Sequence, residues 1–389
     1  MRQFQKSIYY LILVIVALIP LGQIERISLG ASISFYLHDI VVALVVGVSV
    51  GYVSMQKKSL IKDLPLKNPL ILFSVISLFS LAINVSSLTL EQVGVAFLYW
   101  LRWALYACIY FSLNILEKNQ KQNLLGALVV SGVVLAILGW VQYFLYPDLR
   151  NLVYLGWDPH LYRIFGTFLD PNFLGIYFVI TFFLVWDGIL FKRFEPRVVV
   201  LLFLLITLLF TYSRASYLAF FTGMGVITFF SSSKKAPFAL LILLVMSIFF
   251  LPRPVGEGVQ LLRISTIISR VNNWQEAGRT FLKNPILGVG FNAYHYARDP
   301  SSLIVMGSHA ISGVDNSFLF LLATVGIFGF SAYIWLLGRM MFINSKTQTV
   351  LVPVIISIIV HSFFTNTLFY PFIMLWFWIF VGSVTQRYT

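Results

Sequence analysis

The run QNLLGALVVSGVVLAILGWVQYFLY, Gln122 to Tyr146, contains no charged side chain. It is long enough to cross the hydrocarbon core of a bilayer, which takes roughly 20 residues of α-helix. A lone span in lipid must satisfy its own backbone polar groups, and this run lacks the period-two alternation of a barrel strand, so it reads as a transmembrane helix. Comparable runs lie at 7–22, 35–54, 68–84, 91–115, 172–190, 198–212, 215–232, 236–251, 315–342, 348–366 and 371–386. The expected fold class is therefore an all-α polytopic membrane protein of about 12 transmembrane helices, with residues 1–389 forming a single integral membrane domain.

Composition points the same way. The 389 residues are 59% hydrophobic, 17% aromatic and 11% charged, whereas soluble domains carry about 25% charged residues. The mean hydropathy of +0.89 is spread along the chain, which excludes a soluble enzyme held by one anchor. MRQFQK and the apolar run after it have the layout of a signal peptide. No small-residue cleavage site follows, so a retained first span is expected. Cys108, the single cysteine, sits in an apolar stretch and supports neither an internal disulfide nor a thiolate cluster.

With the N- and C-termini on the cytoplasmic side, 16 of the 27 Lys and Arg residues fall in inner breaks, the bias that sets membrane topology. The +13 charge is then mostly topological and needs no nucleic acid. The outer basic residues differ in kind: nine are arginines, and Lys283 is the only lysine. A guanidinium presents a planar fork that matches phosphate or carboxylate oxygens, so this population suggests anion recognition as well as topology. Two outer segments are long, 147–171 and 252–314, the latter lying between spans 9 and 10. Within the second, Ile264, Ile267, Ile268, Val271 and Trp274 recur at helical spacing, which predicts an amphipathic helix over 261–282 with Arg263 and Arg270 on one face.

Ionisable residues within spans gather toward the outer half: His38, Asp39, Asp170, Arg214, Asp315 and His361. Arg102, nearest the midplane, reads as one half of a structural pair with Asp39 or Glu91, and His38, His160, His295 and His361 read as packed or solvated. In TYSRASYLAF, Ser213 is the expected N-cap of the following helix. Its free N–H groups and positive dipole end then lie beside Arg214, which makes an anion site. No set of His, Cys and carboxylates has metal-ligand spacing, so neither a metal nor another cofactor is expected.

Four stretches in one order resemble the O-antigen ligase and Wzy-type O-antigen or exopolysaccharide polymerase superfamily. They are RIFGTFLDPNFLG (Arg163 to Gly175), TYSRAS, SRVNNWQEAGRTFLKNPILGVGFNAY (Ser269 to Tyr294) and VDNSFLFLLATVGIFGF (Val314 to Phe330). The resemblance covers about residues 160–385. It implies a glycosyltransferase at the outer face of the cytoplasmic membrane, using a polyprenyl-diphosphate-linked oligosaccharide donor and a glycan or lipid-core acceptor. Arg214 and Arg270 match the family's two functional arginines. Where ligases typically carry His before the motif's Asn, this chain has Asp315 followed by Asn316, which shifts the expectation toward a polymerase working with a chain-length regulator.

The chemistry fits that expectation. A sugar on a diphosphate already carries a leaving group, and the chain has neither a nucleotide-binding P-loop nor a D-x-D pair. Arg214, Arg270, Arg163 and Arg279 are the expected diphosphate ligands. Asp315 is the first candidate for the base that takes the acceptor proton, His309 the second, with Asn316 and Trp274 as candidate sugar contacts. Two other readings remain: a ligase that attaches glycan to a lipid core, and a transporter of the same lipid-linked glycan. A transporter is expected to show paired repeats and midplane polar groups, and no internal repeat is evident.

Overall fold

A computed structural model describes residues 2–29, 33–56, 64–190, 193–231, 234–254, 256–297, 313–343 and 348–385. Each of the twelve apolar runs contains one helix. In chain order these are α1 (Arg2–Leu18), α2 (Leu37–Gln56), α3 (Lys67–Ile83), α4 (Leu90–Ser112), α5 (Lys118–Leu145), α6 (Pro171–Trp186), α7 (Phe194–Leu209), α8 (Arg214–Phe230) and α9 (Lys235–Phe250), then α11 (Ser317–Met341), α12 (Gln348–Ser362) and α13 (Pro371–Val384). Between α9 and α11 lies the amphipathic α10, Ser265–Lys283. Five segments, Arg2–Glu25, Leu37–Met55, Leu90–Ile115, Lys118–Leu145 and Ser317–Met341, are long and apolar enough to cross a membrane by length and composition. The molecule is a multi-pass membrane protein.

The architecture agrees with an all-α membrane protein, and one short hairpin is added to it: Arg26–Leu29 (β1) and Ile33–Tyr36 (β2) pair antiparallel, with Arg26 facing Tyr36 and Leu29 facing Ile33. These eight residues are mostly β-branched, aromatic or small, and they lie in a break too short for a helix. The amphipathic helix begins at Ser265, so Arg263 precedes it and shares no helical face with Arg270.

The core lies around α6 and α13, whose side chains are buried along nearly their whole length. Close approach depends on small residues, as is usual where helices pack in lipid. A Cβ on Gly132 of α5 would collide with Thr181 of α6, and one on Gly223 of α8 with Ser357 of α12.

The NPILGVG and VGIFG motifs meet as a backbone lock. α11 is interrupted at Gly326, where φ is 62°, and Gly288 has φ 67°. Only glycine adopts this geometry without cost. Val289 N–H donates to Ala323 O and Gly290 N–H to Thr324 O, both at 3.0 Å, and Ile327 N–H returns to Pro285 O at 2.9 Å. A Cβ on Gly288 would strike the Thr324 backbone, and one on Gly326 the Ile286 backbone. From α3, Ser80 Oγ donates to Thr324 O at 2.9 Å and Asn84 Nδ2 to Gly288 O at 3.2 Å, which fastens the lock to the bundle. The chain that leaves α10 is thereby tied to α11.

Candidate active site at the N-termini of α6, α8 and α11

Three helices begin close together. Asp170 caps α6, its Oδ1 accepting from Asn172 N–H at 2.6 Å and Phe173 N–H at 3.3 Å. Ser213 caps α8 as expected, its Oγ accepting from Ser216 N–H. Asn316, rather than Asp315, caps α11, with Oδ1 accepting from Phe318 and Leu319 N–H and Nδ2 donating to Phe363 O at 3.1 Å. The polar atoms of Asn316 are thus committed to structure. Asp315 does not cap, and its carboxyl group makes no hydrogen bond among the described residues.

The three starts are joined through buried polar contacts. Ser213 Oγ donates to Asn172 Oδ1 at 2.9 Å, and Ser216 Oγ lies 3.1 Å from His361 Nε2. His361 Nδ1 lies 2.7 Å from Thr367 Oγ1. Ser317 Oγ accepts from Leu368 N–H at 3.1 Å, in the same turn as Thr367. His361 is fully buried with both ring nitrogens partnered, as its packed reading anticipates. Its role in tying α8 to α12 and the following turn is not legible in sequence, because its partners are hydroxyls scattered over three segments.

α10 fixes the Asp315 backbone. Asn273 Nδ2 donates to Gly313 O at 3.1 Å, Asn273 Oδ1 accepts from Asp315 N–H at 2.9 Å, and Trp274 Nε1 donates to Asp315 O at 3.2 Å. The indole N–H of Trp274 is therefore used in this clamp, and its ring packs obliquely near Phe364. Arg270, one turn before Trp274, lies within electrostatic range of Arg214, Arg163, Asp315 and His361. Its guanidinium makes no hydrogen bond among the described residues.

The other arginines are held differently. Arg214 is half-spent: Nη1 donates to Leu261 O at 3.0 Å and Nη2 to Thr266 Oγ1 at 2.9 Å, which anchors the segment before α10 onto the start of α8. Arg163 is 3% exposed. Its Nε donates to Thr211 O at 2.9 Å and its Nη1 lies 3.4 Å from His160 Nδ1, while Nη2 has no partner among the described residues. Burial, with Arg263 and Arg270 nearby, pulls the Arg163 pKa down to about 9, so it remains cationic at neutral pH. Burial, with Arg163 and Arg263 nearby, holds His160 well below its ordinary value, hence neutral. Arg279 departs from the group. It follows Arg270 by about two and a half turns, and so lies exposed on the opposite side of α10. His309 lies outside the described residues.

Burial pushes the Asp315 carboxyl up to about 6, Arg270 opposes the rise, and Asp158 and Asp170 reinforce it. Asp170 is also raised, by burial and by Asp158. A carboxyl with a pKa near 6 is ionised at neutral pH yet more basic than a solvated aspartate at about 3.9.

Backbone strain marks the same residues. Tyr162 (φ 51°), Leu169 (φ 55°) and Tyr212 (φ 50°) occupy the left-handed region, where bulky side chains are costly. They immediately precede Arg163, Asp170 and the Ser213–Arg214 pair. The rigid bundle thus enforces three unfavourable turns, each of which delivers a polar residue to the same place. With two arginines and a carboxyl holding hydrogen-bonding capacity unused among the described residues, the arrangement is suited to binding an anion and accepting a proton beside it.

Residues 199–334, from α7 into α11, match the family model described as O-Antigen ligase. The matched segment includes Arg214, Arg270 and Asp315, while Arg163 and Asp170 precede it. No curated protein matches the chain.

Proposed function

With the O-antigen ligase domain of the O-antigen ligase and Wzy-type polymerase superfamily in residues 199–334, we propose that the protein is a membrane glycosyltransferase that polymerises glycan repeat units from a polyprenyl-diphosphate-linked donor at the outer face of the cytoplasmic membrane. The observation that carries this reading is that Arg270 lies within electrostatic range of Arg163, Arg214 and Asp315, beside the N-termini of α8 and α11. The guanidinium groups and helix dipoles favour negative charge there, where a departing diphosphate develops it. Among the described residues, Arg163 Nη2 and the Arg270 fork have no hydrogen-bond partner and can donate to the diphosphate. Asp315 takes the proton of the acceptor hydroxyl as its oxygen bonds to the anomeric carbon. The bond from that carbon to the diphosphate oxygen breaks, and its electron pair leaves with the lipid diphosphate.

Two features separate the possible acceptors. Asp315 stands where ligases typically carry histidine and favours a second lipid-linked repeat unit, whereas the description of the matched model favours a lipid core. The deciding experiment is to incubate the purified protein with a lipid-diphosphate oligosaccharide, with and without a lipid-core acceptor, in the presence of chelator. Longer glycans from donor alone support the polymerase. Products only when the core is supplied establish the ligase, and no transfer with either acceptor defeats the proposal.

A further inference from the structure

The side chains of α10 divide into three faces. Asn273, Ala277 and Thr280 are buried against the bundle at 5%, 0% and 8% exposure. Ser269, Asn272, Arg279 and Lys283 lie along an exposed polar face. The third face is apolar and uncovered among the described residues: Ile264, Ile267, Ile268, Val271 and Leu282 are 67%, 49%, 56%, 39% and 74% exposed. At 3.6 residues per turn these five fall on one stripe, and Leu282 is in register with Ile264 five turns earlier. An amphipathic helix of a soluble protein buries its apolar stripe in the core. This one buries small and polar residues and leaves the stripe outside.

We propose that α10 lies in the membrane interface, with the Ile264–Leu282 stripe among the lipids of the outer leaflet, its polar face toward water and its third face on the bundle. Three observations select lipid as the occupant. Arg214 at the top of α8 binds Leu261 O and Thr266 Oγ1, so the stripe begins directly beside the α8 surface on which Leu218 and Phe221 are exposed. The apolar stripe thus continues the exposed apolar surface of α8. Arg279 and Lys283 flank the stripe on its water side, where anionic headgroups sit. A helix with distinct apolar and charged sides is also the form taken by segments that lie in a membrane surface.

This placement deepens the proposed function and rests on it for its consequence. Arg270 projects between the lipid stripe and the buried face of α10, so a diphosphate whose prenyl chain stays in the leaflet reaches Arg270 from the side, along α10. Donor recognition then uses the prenyl chain as well as the headgroup.

The test places single fluorescent labels on the full chain in a Cys108→Ala background, in nanodiscs of phosphatidylethanolamine and phosphatidylglycerol. Labels at Ile268→Cys and Val271→Cys are expected to be quenched several-fold more strongly by lipids spin-labelled high on the acyl chain than labels at Ser269→Cys and Asn272→Cys, with aqueous iodide giving the reverse order. Equal quenching on the two faces, or iodide access at 268 and 271, overturns the inference. In parallel, the Ile267→Asp, Ile268→Asp double variant is expected to raise KM several-fold for a long-prenyl donor and leave a short-prenyl donor unchanged. An equal loss with both donors counts against the leaflet route. If the labelling contrast is missing while Arg270→Ala still abolishes transfer, the interface placement fails and the chemistry stands. If the contrast holds while Arg270→Ala keeps full turnover, the chemistry fails instead.

Discussion

Arg102 and Arg270 are both arginines of a membrane protein, and their surroundings are opposite. Arg102 has its charge paired: Nε and Nη2 grip the two Asp39 oxygens at 3.0 and 2.7 Å, Nη2 also reaches Ser34 O, and Tyr36 and Tyr99 rings lie 5.4 and 5.2 Å from its guanidinium carbon. Arg270 has no hydrogen-bond partner among the described residues, and three further arginines lie around it or beside Arg163. A low-dielectric setting makes an unpaired charge costly, so charge that serves structure arrives with its partner. Positive charge in excess, with donors unspent, is what a site for a mobile anion requires.

That contrast breaks if the two arginines fail in the same way. Removing Asp39 leaves the Arg102 charge almost enclosed, since the side chains of the pair are 9% and 13% exposed. Asp39→Ala is expected to cost about 3–5 kcal/mol of stability, read as a large drop in the unfolding temperature of the purified protein. Replacing both partners, Asp39→Leu with Arg102→Met, should restore most of it. Arg270→Ala should do the converse: unfolding stays near wild type, because a repulsive charge has been removed, while glycan transfer falls roughly 100- to 1000-fold, the usual effect of losing one donor to developing charge. Normal product ladders from Arg270→Ala would remove the anion site.

Asp315 sharpens the comparison by supplying a carboxyl that makes no hydrogen bond among the described residues. Asp315→Asn keeps the shape and removes the basicity, and a loss on the order of 100-fold in turnover is expected, with donor binding little changed. The sign of the pH effect follows from the raised pKa. The base works only when ionised, so kcat/KM should be flat near neutrality and fall as pH drops through about 6. A limb near pH 4, or none, would assign the proton to another group.

Much of this was readable from the chain because hydrophobic period and length are local properties. Twelve apolar runs predict twelve helices, Ser213 predicts the cap of α8, and Arg102 predicts a pairing with Asp39 or Glu91, of which Asp39 is the partner found. The hairpin at 26–36 was not readable, since strands of four residues leave almost no periodic signal. The motif glycines were visible, but their meaning was not. Gly288 and Gly326 lie far apart in sequence and show their purpose only when each backbone is seen to occupy the space that a side chain on the other would need. Within the site, Arg163, Arg214, Arg270 and Asp315 are drawn from four separate stretches, whereas the capping role of Asn316 depends on which of two adjacent residues turns inward. Tyr162, Leu169 and Tyr212 gave no sign at all, because strain is imposed by the fold and is not a property of the residue type.

Arg279 supplies the smallest expected effect and the cleanest control. Sequence reading grouped it with Arg270 by residue type and proximity, yet nine positions along a helix of 3.6 residues per turn place it on the far side. An exposed arginine there interacts through water and salt, so Arg279→Ala should alter transfer by less than about twofold at physiological ionic strength. If low salt in anionic nanodiscs reveals a modest rise in donor KM, the charge is acting on the membrane surface and not on the diphosphate. A loss matching that of Arg270→Ala, by contrast, would mean that α10 rotates by half a turn in the working enzyme, and the division between its buried and uncovered faces would have to be redrawn.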